Sequence, residues 1–309
     1  MKSKKILLVL SVLLASAIFS SCVTFSEVVS VATTVAASQG FIDYRGASAI
    51  NSTASSLEKA VQQFTPEMSY YLGRTVASTI LSSYQVLDAP EMTQYLNEIC
   101  AALAMTSPVP YLYKGYWVAI LDSDEINAMA TPGGHIFISK ALVKCVDSED
   151  ALASVIAHEL SHIQLNHSIK AIKASRGADV AFNALNTAIT ISTSEVVSDE
   201  SLNSFNIMTD SISDVIMNEG FSKPQEFEAD KNALVLMNNA GYEPDAMLDM
   251  LTIIEENHSK GGWNKTHPSP EERIESVKKE LKKIDFKGSS FEARLNRFNS
   301  KKQNFVNGI

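Results

Sequence analysis

The sequence predicts an α+β protein, mostly helical around a small sheet. Apolar residues recur at helical spacing over most of the chain beyond residue 57. Strand-length apolar runs fall together between residues 117 and 139, two of them separated by Pro132-Gly133-Gly134. Turn residues between two such runs make a hairpin.

The elements follow in order. Thr65-Pro66-Glu67 reads as a cap followed by proline at the first helical position, and Tyr71, Leu72, Val76, Ile80 and Leu81 continue that helix. A second helix starts at Pro90 (PEMTQYLNEICAALA). Trp117 to Leu121 (WVAIL) is a strand, and NAMATPGGHIFIS is the hairpin. Asp147 or Ser148 opens the next helix, with Asp150 completing a capping box if Asp147 is the cap. This helix carries HELSH, residues 158–162.

Residues 177–220 are polar-leaning and dotted with Ser, Thr and Asn, which suggests one or two amphipathic helices inserted into the core fold. Ser222 and Pro224 start a helix that carries EFEAD, residues 226–230, and ends at Gly241. A helix from Asp245 to about Asn257 precedes a glycine-rich turn and THPSPEERIESVKKEL. Residues 288–309 read as a basic, frayed tail.

Composition narrows the function classes. The chain has 309 residues, 45% of them apolar, enough for one large core or two small ones. A formal charge of −9 without a sustained basic stripe argues against nucleic-acid binding. The N-terminus is different in kind. Lys2, Lys4 and Lys5 precede an uncharged apolar stretch from Ile6 to Phe19, the order of a bacterial secretory signal. FSSC then resembles a lipobox, with Phe19 where that pattern prefers Leu, so residues 1–21 are expected to be removed and Cys22 lipidated. Residues 22–56 would be a flexible tether, leaving the body of the protein exported and held to a membrane by acyl chains. Cys100 and Cys145 lie in apolar helical patterns; export permits a disulfide, and two free thiols are an equal expectation.

The chemistry concentrates in two helices. His158 and His162 are four residues apart, so they project from one helix face, one turn apart. Two imidazoles at that spacing can hold one tetrahedral zinc at about 2.0–2.1 Å per bond. Glu159 projects about 100° round the helix, beside the metal, where a general base belongs. A third protein ligand is needed. His167, five residues beyond His162, lies about 500° round a continuous helix and points off the metal face. An acid on a later helix is the better source, which directs attention to EFEAD. There Glu226 and Asp230 share a face, and Glu228 lies about 200° from Glu226 and is expected in solvent.

HELSH paired with EFEAD, NAMATPGGHIFIS upstream and HPSPEER downstream resemble zinc-peptidase family M48. That family includes CAAX prenyl proteases, mitochondrial Oma proteases and bacterial periplasmic proteases of the BepA type. The likeness covers about residues 57–284 and implies a zinc metalloprotease domain at 57–287 with a gluzincin-type fold, its small mixed sheet presenting an edge strand beside the active-site helix. It implies one Zn2+ per chain on His158, His162 and Glu226, with Glu159 as general base and Asp230 supporting a ligating histidine. In similar periplasmic members the histidine of the His-Pro element lies near the metal with an arginine six residues on. Here these are His267, a possible fourth ligand or plug, and Arg273. The resemblance also implies that polypeptide substrates bind in extended form along the strand Asn127, Ala128, Met129 and Ala130. The expected activity is envelope endopeptidase hydrolysis in protein quality control. The alternative is a latent protease acting as an envelope chaperone or assembly factor, with His267 plugging the zinc.

Overall fold

The computed structural model describes residues 25–38, 40, 43, 45–48, 51, 65–176, 199–257, 266–267, 270–286 and 291–308. The expected signal peptide, Cys22 and residues 177–198 of the insertion lie outside the described residues. The chain divides into two compact units, residues 1–65 and 66–309.

In the first unit, α1 (Phe25–Ser38) occupies part of the expected tether. Its Thr33 hydroxyl donates to Asn51 Oδ1 at 2.6 Å.

The second unit is helical around three strands, as the hydrophobic pattern predicts. It runs α2 (Pro66–Ser83), α3 (Pro90–Met105), β1 (Trp117–Leu121), β2 (Ala128–Ala130), β3 (His135–Ser139), α4 (Lys140–Cys145) and α5 (Glu149–Gln164). Then follow α6 (His167–Arg176), α7 (Asp199–Asp214), a π-helical stretch Val215–Glu219, α8 (Lys223–Ala240), α9 (Ala246–Glu256), α10 (Pro270–Leu281) and α11 (Phe291–Gly308). Among the described residues no helix is long and apolar enough to cross a membrane.

The sheet order is β1-β3-β2, with β1 parallel and β2 antiparallel to β3. The β2–β3 hairpin forms where the Pro-Gly-Gly turn places it, with Ala128 opposite Ile138 and Ala130 opposite Ile136. Gly133 has φ 79°, and a Cβ there would stand 2.4 Å from Tyr70 Cα. Only glycine suits both that backbone and the close approach of α2.

Helix α5 runs through the middle of this unit. Every residue from Glu149 to Ile163 is buried, and α3, α8, α9, α11 and β2 all pack against it. Ser148, rather than Asp147, is its cap, accepting from Ala151 N at 3.0 Å. Asp150 is thereby released from a capping role and reaches other partners. Helix α8 starts at the expected place, with Ser222 and Gln225 forming a capping box.

The frayed C-terminal tail is not what the structure shows. Its basic residues find partners and its apolar residues find a core. Residues 291–308 form α11, whose Phe298 and Phe305 are buried in the main core. Arg294 and Arg297 reach the first turn of α5. Cys100 and Cys145 are not joined to each other; the first is buried and the second half-buried.

Candidate active site

Helix periodicity puts the HELSH and EFEAD side chains where the spacing predicts. His158 and His162, one turn apart on α5, bring their Nε2 atoms to 3.0 Å of each other. Glu226, in the first turn of α8, faces both. Its Oε2 is 3.5 Å from His158 Nε2 and its Oε1 is 3.5 Å from His162 Nε2. His267 closes the group, its Nδ1 2.9 Å from Glu226 Oε2. One ligand atom from each of these four buried residues lies within 4.8 Å of all the others.

The donor set fits zinc. Ligand atoms about 2.1 Å from a tetrahedral zinc stand about 3.4 Å from one another, close to the 3.0 and 3.5 Å separations among His158, His162 and Glu226. Neutral imidazoles and a carboxylate are the ligand types that zinc takes. Glu159 sits beside the group, 1% exposed, with its Oε1 lacking a hydrogen-bond partner among the described residues. His267 Nε2 lies 4.0 Å from that atom. A buried carboxylate oxygen left in this way needs a water or a substrate proton to satisfy it.

The surroundings hold each group in a particular state. Asp230 lies one turn beyond Glu226 and accepts from His158 Nδ1 at 2.9 Å. This puts the proton on Nδ1 and turns Nε2 towards the cluster. Arg273, fully buried, forks onto Asp230 through Nε at 2.9 Å and Nη2 at 2.6 Å. Burial alone would raise Asp230, but Arg273 and His158 hold it below the usual carboxylate value. Burial and Arg273 push His158 down, yet Asp230 and Glu226 outweigh them and take it up to about 9. Metal binding would therefore displace a proton there. Burial lowers His162, and the charge on His158 lowers it further. Burial also raises Glu159, with the neighbouring cations opposing it. Glu226 is held well below its ordinary value, since His267 and the two α5 histidines overcome its burial.

Two expectations change. Helix α5 stops at Gln164, and Asn166 adopts the left-handed conformation at φ 54°. The chain reverses there, so His167 returns to His162 and their Nδ1 atoms meet at 3.0 Å. Extrapolating a continuous helix had pointed His167 away. Glu228, expected to be simply solvated, is half-exposed and accepts from His167 Nε2 at 3.1 Å. An acid placed 200° off the metal face has found a partner on the next element.

The expected substrate strand lies at an edge of the sheet and packs against α5, but it is not open. Asn127, Ala128, Met129 and Ala130 are all buried, and the π-helical stretch Val215–Glu219 packs against β2. Beyond that stretch, Gly220 approaches Thr266 so closely that a Cβ would stand 2.3 Å from its carbonyl oxygen. Phe221 stacks on His162 with ring centroids 4.2 Å apart. The described conformation is closed over the site.

A pair of helix-borne histidines, a carboxylate from a second helix and a general-base candidate define a metallopeptidase-type centre. Comparison with known proteins agrees. The model of Peptidase family M48 matches residues 90–281, and the chain belongs to that family.

The chain is 26% identical over 212 residues to the beta-barrel assembly-enhancing protease of Escherichia coli K12, covering 66% of this chain and 42% of that protein. It is 29% identical over 166 residues to the mitochondrial metalloendopeptidase OMA1 of Schizosaccharomyces pombe, covering 52% and 45% respectively. With metalloprotease LoiP of Escherichia coli K12 the identity is 25% over 197 residues, covering 62% of this chain and 72% of that protein. The chain thus spans less than half the length of the first two relatives.

Proposed function

We propose that the protein is a zinc-dependent endopeptidase of the bacterial cell envelope, with a gluzincin-type active site. The observation that carries this is the buried convergence of His158, His162, Glu226 and His267 beside the orphaned Glu159 oxygen. His158, His162 and Glu226 would hold the metal. Bound there, zinc supplies a Lewis acid for the scissile carbonyl and the attacking water. Glu159 takes a proton from that water and delivers it to the leaving amine. Asp230 fixes the tautomer of His158, and Arg273 fixes Asp230. An extended polypeptide would pair along Asn127 to Ala130 once the closing segments move aside.

Envelope location is supported by the N-terminal signal pattern, with Cys22 as the lipid attachment point. Protein quality control is the cellular role most consistent with such a site on an exported chain.

A second form of this reading is favoured by His267, which sits in the ligand group and bonds Glu226. It would occupy the position a substrate needs, so that the resting protein is latent and works chiefly as a chaperone or assembly factor. Metal analysis tests the first statement: about one zinc per chain is expected, and a ratio near zero would sink both forms. Cleavage of an unfolded test protein by wild type supports the constitutive enzyme. Cleavage only by His267→Ala supports latency.

A further inference from the structure

The two histidines of HELSH are oriented by different means. His158 gives its Nδ1 proton directly to a buried carboxylate, Asp230. Among the described residues, no carboxylate takes that place at His162 Nδ1. Its Nδ1 meets His167 Nδ1 at 3.0 Å, and His167 Nε2 in turn meets Glu228 Oε2 at 3.1 Å. We infer that His167 and Glu228 are positioning residues for the metal, a relay that sets the tautomer and ring orientation of His162. The inference rests on the zinc reading above.

The proton positions follow from hydrogen-bond chemistry. Two facing Nδ1 atoms at 3.0 Å need one donor and one acceptor. Glu228, as a carboxylate, only accepts, so the proton of neutral His167 resides on Nε2. His167 Nδ1 is then the acceptor, and the proton of His162 resides on Nδ1. That leaves the lone pair of His162 on Nε2, which faces His158 Nε2 and Glu226. Each step in the chain from Glu228 to His162 has one consistent direction. The result is a carboxylate–histidine–metal arrangement with an extra imidazole inserted.

The local fold is built to hold this relay. The left-handed Asn166 reverses the chain immediately before His167. Gln225 Nε2 donates to the His167 carbonyl at 3.0 Å, tying it to the first turn of α8. Glu228 lies on that same helix, two residues beyond Glu226. One helix therefore supplies both a ligand and, from a different face, the carboxylate that orients another ligand. Phe221 stacks on the His162 ring, centroids 4.2 Å apart, and its ring lies tilted 6.0 Å from that of His167.

Zinc affinity measured by competition with a chromogenic chelator on the full chain tests this. His167→Ala should weaken binding about 10–100-fold, the usual cost of losing a ligand-orienting partner. His167→Asn keeps an acceptor near the Nδ1 position but breaks the link to Glu228. Glu228→Gln removes the terminal anion from a half-exposed site. These two should each weaken binding less than His167→Ala and by similar factors, and combining them should add little. The metal-free proteins should unfold at the wild-type temperature for Glu228→Gln, and the cobalt-substituted forms should show shifted ligand-field bands. Affinities within twofold of wild type for all three variants would overturn the relay while leaving the zinc site standing. Wild-type protein that binds no zinc would overturn both.

Discussion

Helix α5 buries charged side chains at both ends, and the two ends are completed differently. In the first turn, Glu149 accepts from Tyr95 Oη at 2.6 Å and Tyr242 Oη at 3.3 Å, and Arg297 forks onto it. Asp150 accepts from Glu243 N at 2.7 Å and from Arg294 Nε and Nη2, each at 2.8 Å. Both acids also stand where the helix dipole favours negative charge. About two and a half turns on, His158, Glu159 and His162 are just as buried, but Glu159 Oε1 has no partner among the described residues and four groups able to ligate a metal crowd one point. The first end is closed by the fold itself. The second has bonding left over for a metal and for a water or substrate proton. Buried polar groups tell structure from function by whether their bonding is complete.

The sharpest way to break this comparison is Glu159→Gln. Proteolysis of an unfolded test protein should fall by about a hundred- to ten-thousandfold, with zinc content unchanged. Thermal stability should hold or rise, because a neutral amide replaces an incompletely bonded buried carboxylate. Wild-type turnover by this variant would remove Glu159 from the chemistry. Loss of zinc would make it part of the binding site instead.

The converse substitution is Arg294→Ala at the first end. It leaves Asp150 buried with the Glu243 amide and no cation, a loss of about 3 kcal/mol, the low end for breaking a buried pair. Chemical denaturation should show that loss while the zinc-to-chain ratio stays at wild type. Arg297→Ala should cost less, since its side chain is 53% exposed and Glu149 keeps two tyrosine hydroxyls. Equal stability of wild type and Arg294→Ala would mean that α11 is not the clamp its contacts suggest.

The two ends also differed in how far the sequence revealed them. Helical spacing is local, four residues to about one turn, so it pairs His158 with His162 and Glu226 with Asp230; that the two pairs meet is what the family resemblance implies. The Pro-Gly-Gly hairpin is legible for the same reason. Glu149 and Asp150 are adjacent to that motif, yet their partners Arg294 and Arg297 are 144 and 148 residues away. No period connects them, so α11 read as a loose basic tail. His167 failed differently. The helix was carried through Leu165 and Asn166, although asparagine tolerates the left-handed conformation that ended it. That asparagine just before the histidine was the available signal. The burial of Asn127 to Ala130 was illegible because it depends on the separate segment 215–221 lying across the strand.

The smallest expected effect concerns the two remaining cysteines, which sit in neighbouring parts of the same core. Cys100 is 1% exposed, and burial pushes its thiol up to about 12. Cys145 is half-buried near the end of α4. The thiolate is the reactive form, so a raised value leaves less of it at neutral pH. In the native protein, iodoacetamide at pH 8 should modify Cys145 first and leave Cys100 intact. Raising the pH towards 10 should still leave Cys100 lagging, because its thiolate is scarce until far higher pH and its sulfur stays covered. Mass spectrometry of the digested protein reads both sites. Equal labelling would show that the core around α3 opens on the time scale of alkylation.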